Sequence, residues 1–419
     1  MHAAGLDLAP FRALRYVPER VSSLAAVTSP PYDVVVRPDG LHELETADPY
    51  NIVRLILPQA GDPAAGHRRA ARTLRHWRAR GVLALDPTPA VYVYEQRAAG
   101  SLQRGLLGAL RLTPPEEGVV LPHEDVLPEV VADRAALMRA TETNLEPLLL
   151  AYRGAATGPP SGAAAVVERT AGRTPLLATT TADGTEHRLW PVTDAAQLAE
   201  ITADLAGHRA LIADGHHRWA TYLRLRAERD GQPPWDRGLV LLVDTARYPL
   251  RVQAIHRVLP GLPPAAVLGR LGDAFRVRRL DVALPEALRA LAGTPGNAFL
   301  LGGDGPLHLL DRPATHLTDR TARPDRPRAW RELDATILGA ALSALVRPPA
   351  AVRYLHDAEA ALNQAARSGG SAVLLRAVPE STVRALAERG VTMPQKSTSF
   401  GPKPATGLVL RPLDIAEEN

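Results

Sequence analysis

The stretch Ala210-Leu211-Ile212-Ala213-Asp214-Gly215-His216-His217-Arg218-Trp219-Ala220 decides the reading of this chain. Four apolar residues, Ala210 to Ala213, have the length and character of a short buried strand. Gly215 permits a tight turn, and His216 to Glu228 reads as a helix. The first N–H groups of a helix lack intrahelical partners and carry the positive end of its dipole. A phosphate fits there. His216, His217 and Arg218 add side-chain donors at the same end, and a guanidinium can hold phosphate oxygens bidentately. The plain alternative is a helix capped by Asp214 with solvated basic residues. Cations at a helix N-terminus oppose the dipole, which favours an anionic partner.

Outward from this turn, the 419 residues exceed one ordinary core, so several lobes are expected. The expectation is an N-terminal lobe over 1–112, a central lobe over 113–260 and a C-terminal α/β lobe over 261–419, whose last segment returns to the cleft. A hydrophobic fraction of 46% with 22% charged residues is that of a globular chain. Helices are expected over 64–80, 133–140 with Asp133 as cap, 194–206, 216–228, 265–275, 330–345, 357–366 and 380–389. Strands are expected over 91–95, 106–112, 148–152, 210–213, 239–243, 298–301 and 372–375. Residues 156–163 read as a surface loop, and 311–328 as a long loop or lid. This alternation gives a multi-lobed α/β fold with α+β elements.

Composition excludes several functions. With no cysteine there is no disulfide, no thiolate catalysis and no Cys-ligated metal. The +4 formal charge comes from scattered arginines without a basic run, which disfavours nucleic-acid binding. No uncharged apolar stretch of about 18 residues occurs, so no membrane span is expected. The first residues lack signal-peptide features, giving a cytoplasmic expectation. No His-Glu-x-x-His pair is present, which argues against a common zinc site.

Three further segments carry ionisable residues. In Pro30-Pro31-Tyr32-Asp33 the prolines stiffen the backbone, and Asp33 is a candidate metal ligand or base, or else a turn residue. In Leu121-Pro122-His123-Glu124-Asp125, Glu124 is the preferred general base, with His123 orienting it or carrying its proton. The rival is a solvated loop tip. Arg134 is expected to pair with a carboxylate of this segment. In Met393 to Lys403, Gln395 stands where a P-loop needs glycine and Pro402 stops a helix, so a P-loop is rejected. Lys396, Ser397, Thr398 and Lys403 can still hold a carboxylate or phosphate. His67 and His76 read as surface residues, and Asn144 as polar lining of the cleft.

The Asp214-Gly215-His216-His217-Arg218 turn resembles the phosphate-binding turn of the ParB–sulfiredoxin superfamily, which includes archaeal free-serine kinases. Over almost the whole chain, Phe11–Arg15, Pro30–Val34, His123-Glu124, Asp133-Arg134, Ala213–Arg218 and Met393–Gly407 resemble, in this order, a large bacterial and archaeal family known as a conserved domain of unknown function. The superfamily resemblance implies a ParB/sulfiredoxin-like central lobe whose turn, Asp214 to Arg218, holds the phosphates of ATP or ADP. The expectation is thus a nucleotide-dependent phosphotransferase acting on a small hydroxylated metabolite, with free serine suggested by the resemblance. Asp33 or Asp214 would take Mg2+, Glu124 would act as base, and Tyr32, Arg134, Lys396, Ser397, Thr398 and Lys403 would bind substrate. Two alternatives stand: a ParB-like nucleotide- or DNA-binding regulator, and a metal-dependent hydrolase using His123, Glu124, His216 and His217. Oligomeric state has no sequence signal.

Overall fold

The computed structural model describes residues 5–35, 38–98, 100–321, 323, 325–345 and 352–414. The protein is of mixed α/β class. It divides into two compact units. Unit 1 comprises residues 1–122, 126–250 and 402–419; unit 2 comprises 123–125 and 251–401. Among the described residues no helix is long and apolar enough to cross a membrane.

Unit 1 is built on a nine-stranded mixed sheet. Its strands are β1 (Leu8–Ala9), β2 (Val91–Ala98), β3 (Ser101–Arg111), β4 (Val120–Leu121), β5 (Leu148–Tyr152), β6 (Leu177–Thr180), β7 (Glu186–Val192), β8 (Ala210–Asp214) and β9 (Arg237–Asp244). The spatial order is β4-β8-β5-β9-β3-β2-β7-β6, with β1 pairing off this path on β3. Strands come from both sides of Leu112. The central strands β5 and β8 are buried at every position, as their unbroken apolar sequences require when both faces are covered. β9 runs parallel to β5, whereas β8 runs antiparallel to it.

Five helices that pack in unit 1 are α1 (Pro63–Ala79), α2 (Pro128–Thr141), α3 (Gly162–Ala171), α4 (Ala195–Leu205) and α5 (His216–Glu228). Asp62 and Asp194 cap α1 and α4 by accepting the backbone N–H three residues on. Asp133, expected as a cap, lies inside α2, which begins five residues earlier with Pro128 in its first turn. Proline needs no N–H partner there and its φ suits a helix start, so it sets the boundary without a polar cap. His67 also departs from expectation: it is buried on α1, with Nε2 3.0 Å from Asp133 Oδ1. The sequence 156–163, read as loop, already enters α3 at Gly162.

Unit 2 holds a six-stranded, fully antiparallel sheet of β10 (His256–Leu259), β11 (Arg276–Leu280), β12 (Ala298–Gly302), β13 (Leu307–Asp311), β14 (Arg353–Leu355) and β15 (Ser371–Leu374). The order is β11-β13-β12-β15-β10-β14. Alternate residues of β12 serve different cores. Phe299 and Leu301 join Val267, Phe275 and Ile337, while Ala298 and Leu300 join Leu291, Ala361 and Leu374. The expected loop over 311–328 contains a short helix, Thr315–Arg320. The helix expected over 330–345 is two, Arg328–Arg331 and Asp334–Leu345.

Candidate functional site

β8 leaves regular pairing just before the turn. Ile212 pairs with Leu150 and Asp214 with Leu149, so Ala213 is an extra residue and the strand carries a bulge. Bulges re-aim the side chains beside them, here that of Asp214. Gly215 follows at φ 96°, in the left-handed region. A Cβ on Gly215 would lie 2.4 Å from Leu148 Cδ2, so both backbone angle and space require glycine. α5 begins at His216, and its N-terminus has no side-chain cap.

Asp214 is buried and accepts two charged donors. Arg218, one turn further along α5, donates Nη2–H to Oδ2 at 2.7 Å. Lys403 Nζ lies 2.5 Å from Oδ1. The same ammonium donates to Asp33 Oδ2 at 2.7 Å, so one lysine bridges two carboxylates. Lys403 reaches them on a segment, 402–413, fixed by unit 1 itself. Gln103 donates to Pro402 O, the Ala405 N–H donates to Tyr94 Oη, and Ser29 and Thr406 exchange backbone bonds. Arg411, fully buried, donates to Arg237 O and Pro234 O.

Behind this bridge lies a third carboxylate. Glu146 accepts the Tyr32 N–H at 2.9 Å. Tyr32 presents its ring to two guanidinium groups, Arg134 at 4.7 Å and Arg218 at 5.9 Å. Burial pushes the Glu146 and Asp214 carboxyls above their usual range, and Asp33 adds to the shift of Asp214 against the pull of Lys403 and Arg218. Burial also acts to raise Asp33, but the Lys403 ammonium and the Arg218 guanidinium outweigh it and hold that carboxyl below the usual range. Lys403 is held charged: Asp214 and Asp33 raise it against the effect of burial. Burial pushes the Tyr32 hydroxyl up to about 12.

Seven of the residues singled out in the sequence therefore meet in unit 1: Tyr32, Asp33, Arg134, Asp214, Gly215, Arg218 and Lys403. Two of them have contacts that differ from expectation. Arg218 turns its fork inward, with Nη1 donating to Pro147 O at 2.9 Å and Nη2 to Asp214, and its buried Nε has no hydrogen-bond partner among the described residues. Arg134 pairs with its neighbour Asp133 and donates to Ile56 O, rather than to a carboxylate of the 123–125 segment. His216 is buried in the first turn of α5. His217 Nε2 accepts the Leu127 N–H at 3.1 Å, so that nitrogen carries no proton.

His123, Glu124, Lys396, Ser397 and Thr398 belong to unit 2. His123 is buried, with its ring 5.4 Å from that of Phe400, Nε2 3.2 Å from Thr398 Oγ1, and its carbonyl accepting the Met393 N–H. Ser397 donates to Pro394 O, closing a turn in which Lys396 adopts a φ of 55° and points outward. Glu124, half-buried, adjoins His123 in sequence. Asn144, expected to line a cleft, is fully inside unit 1, where its Oδ1 accepts the Leu239 N–H. Glu146 escaped the sequence reading: it lies in the connection between α2 and β5, and only the fold brings it under Tyr32.

These features define a mixed α/β protein with a strand–bulge–glycine–helix turn set in a buried ionic cluster. The chain belongs to the family described as "Protein of unknown function (DUF1015)", whose model matches residues 8–336. No curated protein matches the sequence. Among solved structures, similarity extends to a free serine kinase mutant in complex with ADP, at 17% identity and a TM-score of 0.36 over 69% of this chain and 89% of that one. A C-terminally truncated SbnI from Staphylococcus aureus is 12% identical, with a TM-score of 0.37 over 74% and 88% of the two chains. A conserved hypothetical protein from Pyrococcus furiosus is 17% identical, with a TM-score of 0.36 over 70% and 93%.

Proposed function

We propose that the protein is a nucleotide-dependent phosphotransferase acting on a small hydroxylated metabolite, with free serine the first substrate to test. One observation carries this reading. A left-handed glycine and a helix start without a side-chain cap adjoin a cluster in which Asp33, Asp214 and Glu146 face Arg218 and Lys403. Because Arg134 is taken up by Asp133, the cluster holds three carboxylates to two cations. The helix start suits nucleotide phosphates, and the carboxylate excess suits their counter-ion.

Among the described residues no group of three or more metal-binding side chains converges. Asp33 and Asp214 nonetheless place two carboxylates around a single positive charge, an oxygen donor set of the kind Mg2+ completes with waters and phosphate oxygens. These two residues would hold the ion, which when bound would neutralise charge on the phosphates of ATP or ADP. Arg218 then acts from behind: its bond to Asp214 fixes that carboxylate, and the anion is left to the backbone of the turn. Lys403 sets the charge state of both aspartates. Glu124 is the proposed base on its chemistry and place in the sequence. A cytoplasmic location goes with this reading.

Millimolar ATP or ADP with Mg2+ should raise the melting temperature of the protein, and Asp33→Asn should abolish the shift. Asp33, 40% exposed at its side chain, is replaceable with less risk to the fold than Asp214. Labelled phosphate should pass to serine, with Glu124→Gln reducing transfer at least 100-fold, the usual scale of a lost general base. A protein that no nucleotide stabilises at millimolar concentration is not a phosphotransferase of this kind.

A further inference from the structure

A second cluster of charge lies in unit 1, away from the turn. A hollow of about 530 Å3 opens beside α1. Arg69, Arg72 and His76 line it from one helix face, at spacings of three and four residues. Arg54 lines it from the short helix Val53–Ile56, and Glu45 from the helix Pro38–Ala47.

Charge is unbalanced here. Among the described residues that line the hollow, three guanidinium groups meet one carboxylate, Glu45, which stands 3.9 Å from Arg54, a long ion pair; the buried Asp48 carboxylate also acts on Arg54 from behind. Arg54 is otherwise engaged only in part. Its Nη2 donates to the Glu45 carbonyl at 2.6 Å, while its buried Nε has no hydrogen-bond partner among the described residues. Arg69 donates Nη1 to Gln59 O. Like charges three residues apart on a helix repel, so the Arg69–Arg72 pair works against α1 unless an anion lies between them. Trp77 also lines the hollow, packed edge-to-face against Tyr50 with centroids 5.7 Å apart. A planar fork presenting several N–H groups matches tetrahedral phosphate oxygens.

We propose that this hollow is a binding site for a phosphate dianion, carried either as inorganic phosphate or on a small phosphomonoester. Arg69 and Arg72, which face no carboxylate in the lining, supply two positive charges that match such a group. The hollow is larger than phosphate itself and leaves room for an organic substituent next to Thr73 and Gln59. The site does not depend on the phosphotransferase reading, since none of its residues takes part in the Asp33–Lys403–Asp214 bridge.

Titration calorimetry with inorganic phosphate and with glycerol phosphate on the full chain tests the proposal. The double variant Arg69→Ala/Arg72→Ala should bind the probe at least tenfold more weakly than the wild type or lose one site outright. Both positions are exposed, so folding should persist. The control Arg68→Ala/Arg75→Ala removes the same charge from α1 at positions that do not line the hollow, and should bind as the wild type does. Stronger binding of glycerol phosphate identifies the organic phosphate as the ligand class, and equal binding identifies phosphate itself. The proposal fails if the wild type binds neither probe at 10 mM (about 100 times a 0.1 mM Kd). It fails equally if the two double variants lose affinity to the same degree, or if the lining variant loses less than tenfold without losing a site.

Discussion

Replacing Lys403 by methionine tests the ionic cluster most directly. The side chain keeps its length and apolar stem but loses the ammonium that bridges Asp33 and Asp214. Removing one partner of a buried ion pair costs roughly 3–5 kcal/mol, because the other charge is left in a poor solvent. Asp214, whose side chain is 10% exposed, falls in that class. Asp33 at 40% exposure is screened by water and adds little. The expected loss is therefore about 3 kcal/mol at pH 8, near the lower limit for a buried pair. At roughly 2–4 °C per kcal/mol for a unit of this size, the melting temperature should fall by about 6–12 °C. The pH dependence separates this account from a simple packing defect. Without the ammonium, Arg218 alone is left to oppose burial and the neighbouring Asp33, which raise the Asp214 pKa above the unfolded value. The folded variant then binds more protons than the unfolded chain around pH 5, so its stability falls as pH rises. The deficit against wild type should accordingly be smallest near pH 5 and largest at pH 8. Differential scanning calorimetry of both proteins across that range measures it. A loss under about 2 °C, less than 1 kcal/mol on the same scale, or an equal loss at both pH values, would refute the reasoning.

Two other outcomes follow from the geometry. Gly215→Ala should destabilise unit 1 by at least about 2 kcal/mol and remove nucleotide binding, since the Cβ meets Leu148 and the backbone is left-handed; thermal melts with and without MgATP check this. His187, buried beside Tyr94, has its pKa lowered to about 4 by burial, so the unfolded chain takes up a proton below about 6.5 while the folded one does not. Stability contributed by this group is present above pH 6.5 and lost as pH falls toward 4; His187→Gln should flatten that part of the acid-melting profile, and NMR should find the ring neutral at pH 5.

The parts of the fold legible in the sequence are those whose signal is local. The apolar runs Ala210–Ala213, Leu148–Tyr152 and Leu239–Val243 announce buried strands because four or five continuous apolar residues suit a doubly covered sheet and are too few for a buried helix. Asp62, Asp194 and Asp357 begin helices in the usual way. Other elements carry misleading signals. β7 contains Pro191, which reads as a strand breaker and is exposed within the strand. α2 begins at a proline after Leu127 without a polar cap, so Asp133, a residue of the capping type, draws the boundary inward. In the site, Asp214 and Gly215 are legible from their turn, and Asp33 from the stiff prolines before it. Glu146 is not, because nothing near it in sequence says that Tyr32, 114 residues earlier, will donate to its carboxylate. Nor does the sequence divide Lys396 from Lys403. The boundary between the two units passes between them, at Gly401 and Pro402.

That boundary bears on how the protein is made. Lys403 and Arg411 follow the 151 residues of 251–401 in the order of synthesis. Asp33, Asp214 and the pocket for Arg411 leave the ribosome long before the side chains that neutralise or fill them. Until residues 402–413 arrive, the emerging chain carries two facing carboxylates without their ammonium. Translation thus delays closure of the ionic cluster until the intervening unit has been produced. A protein cut after Gly401 would stay in that incomplete condition.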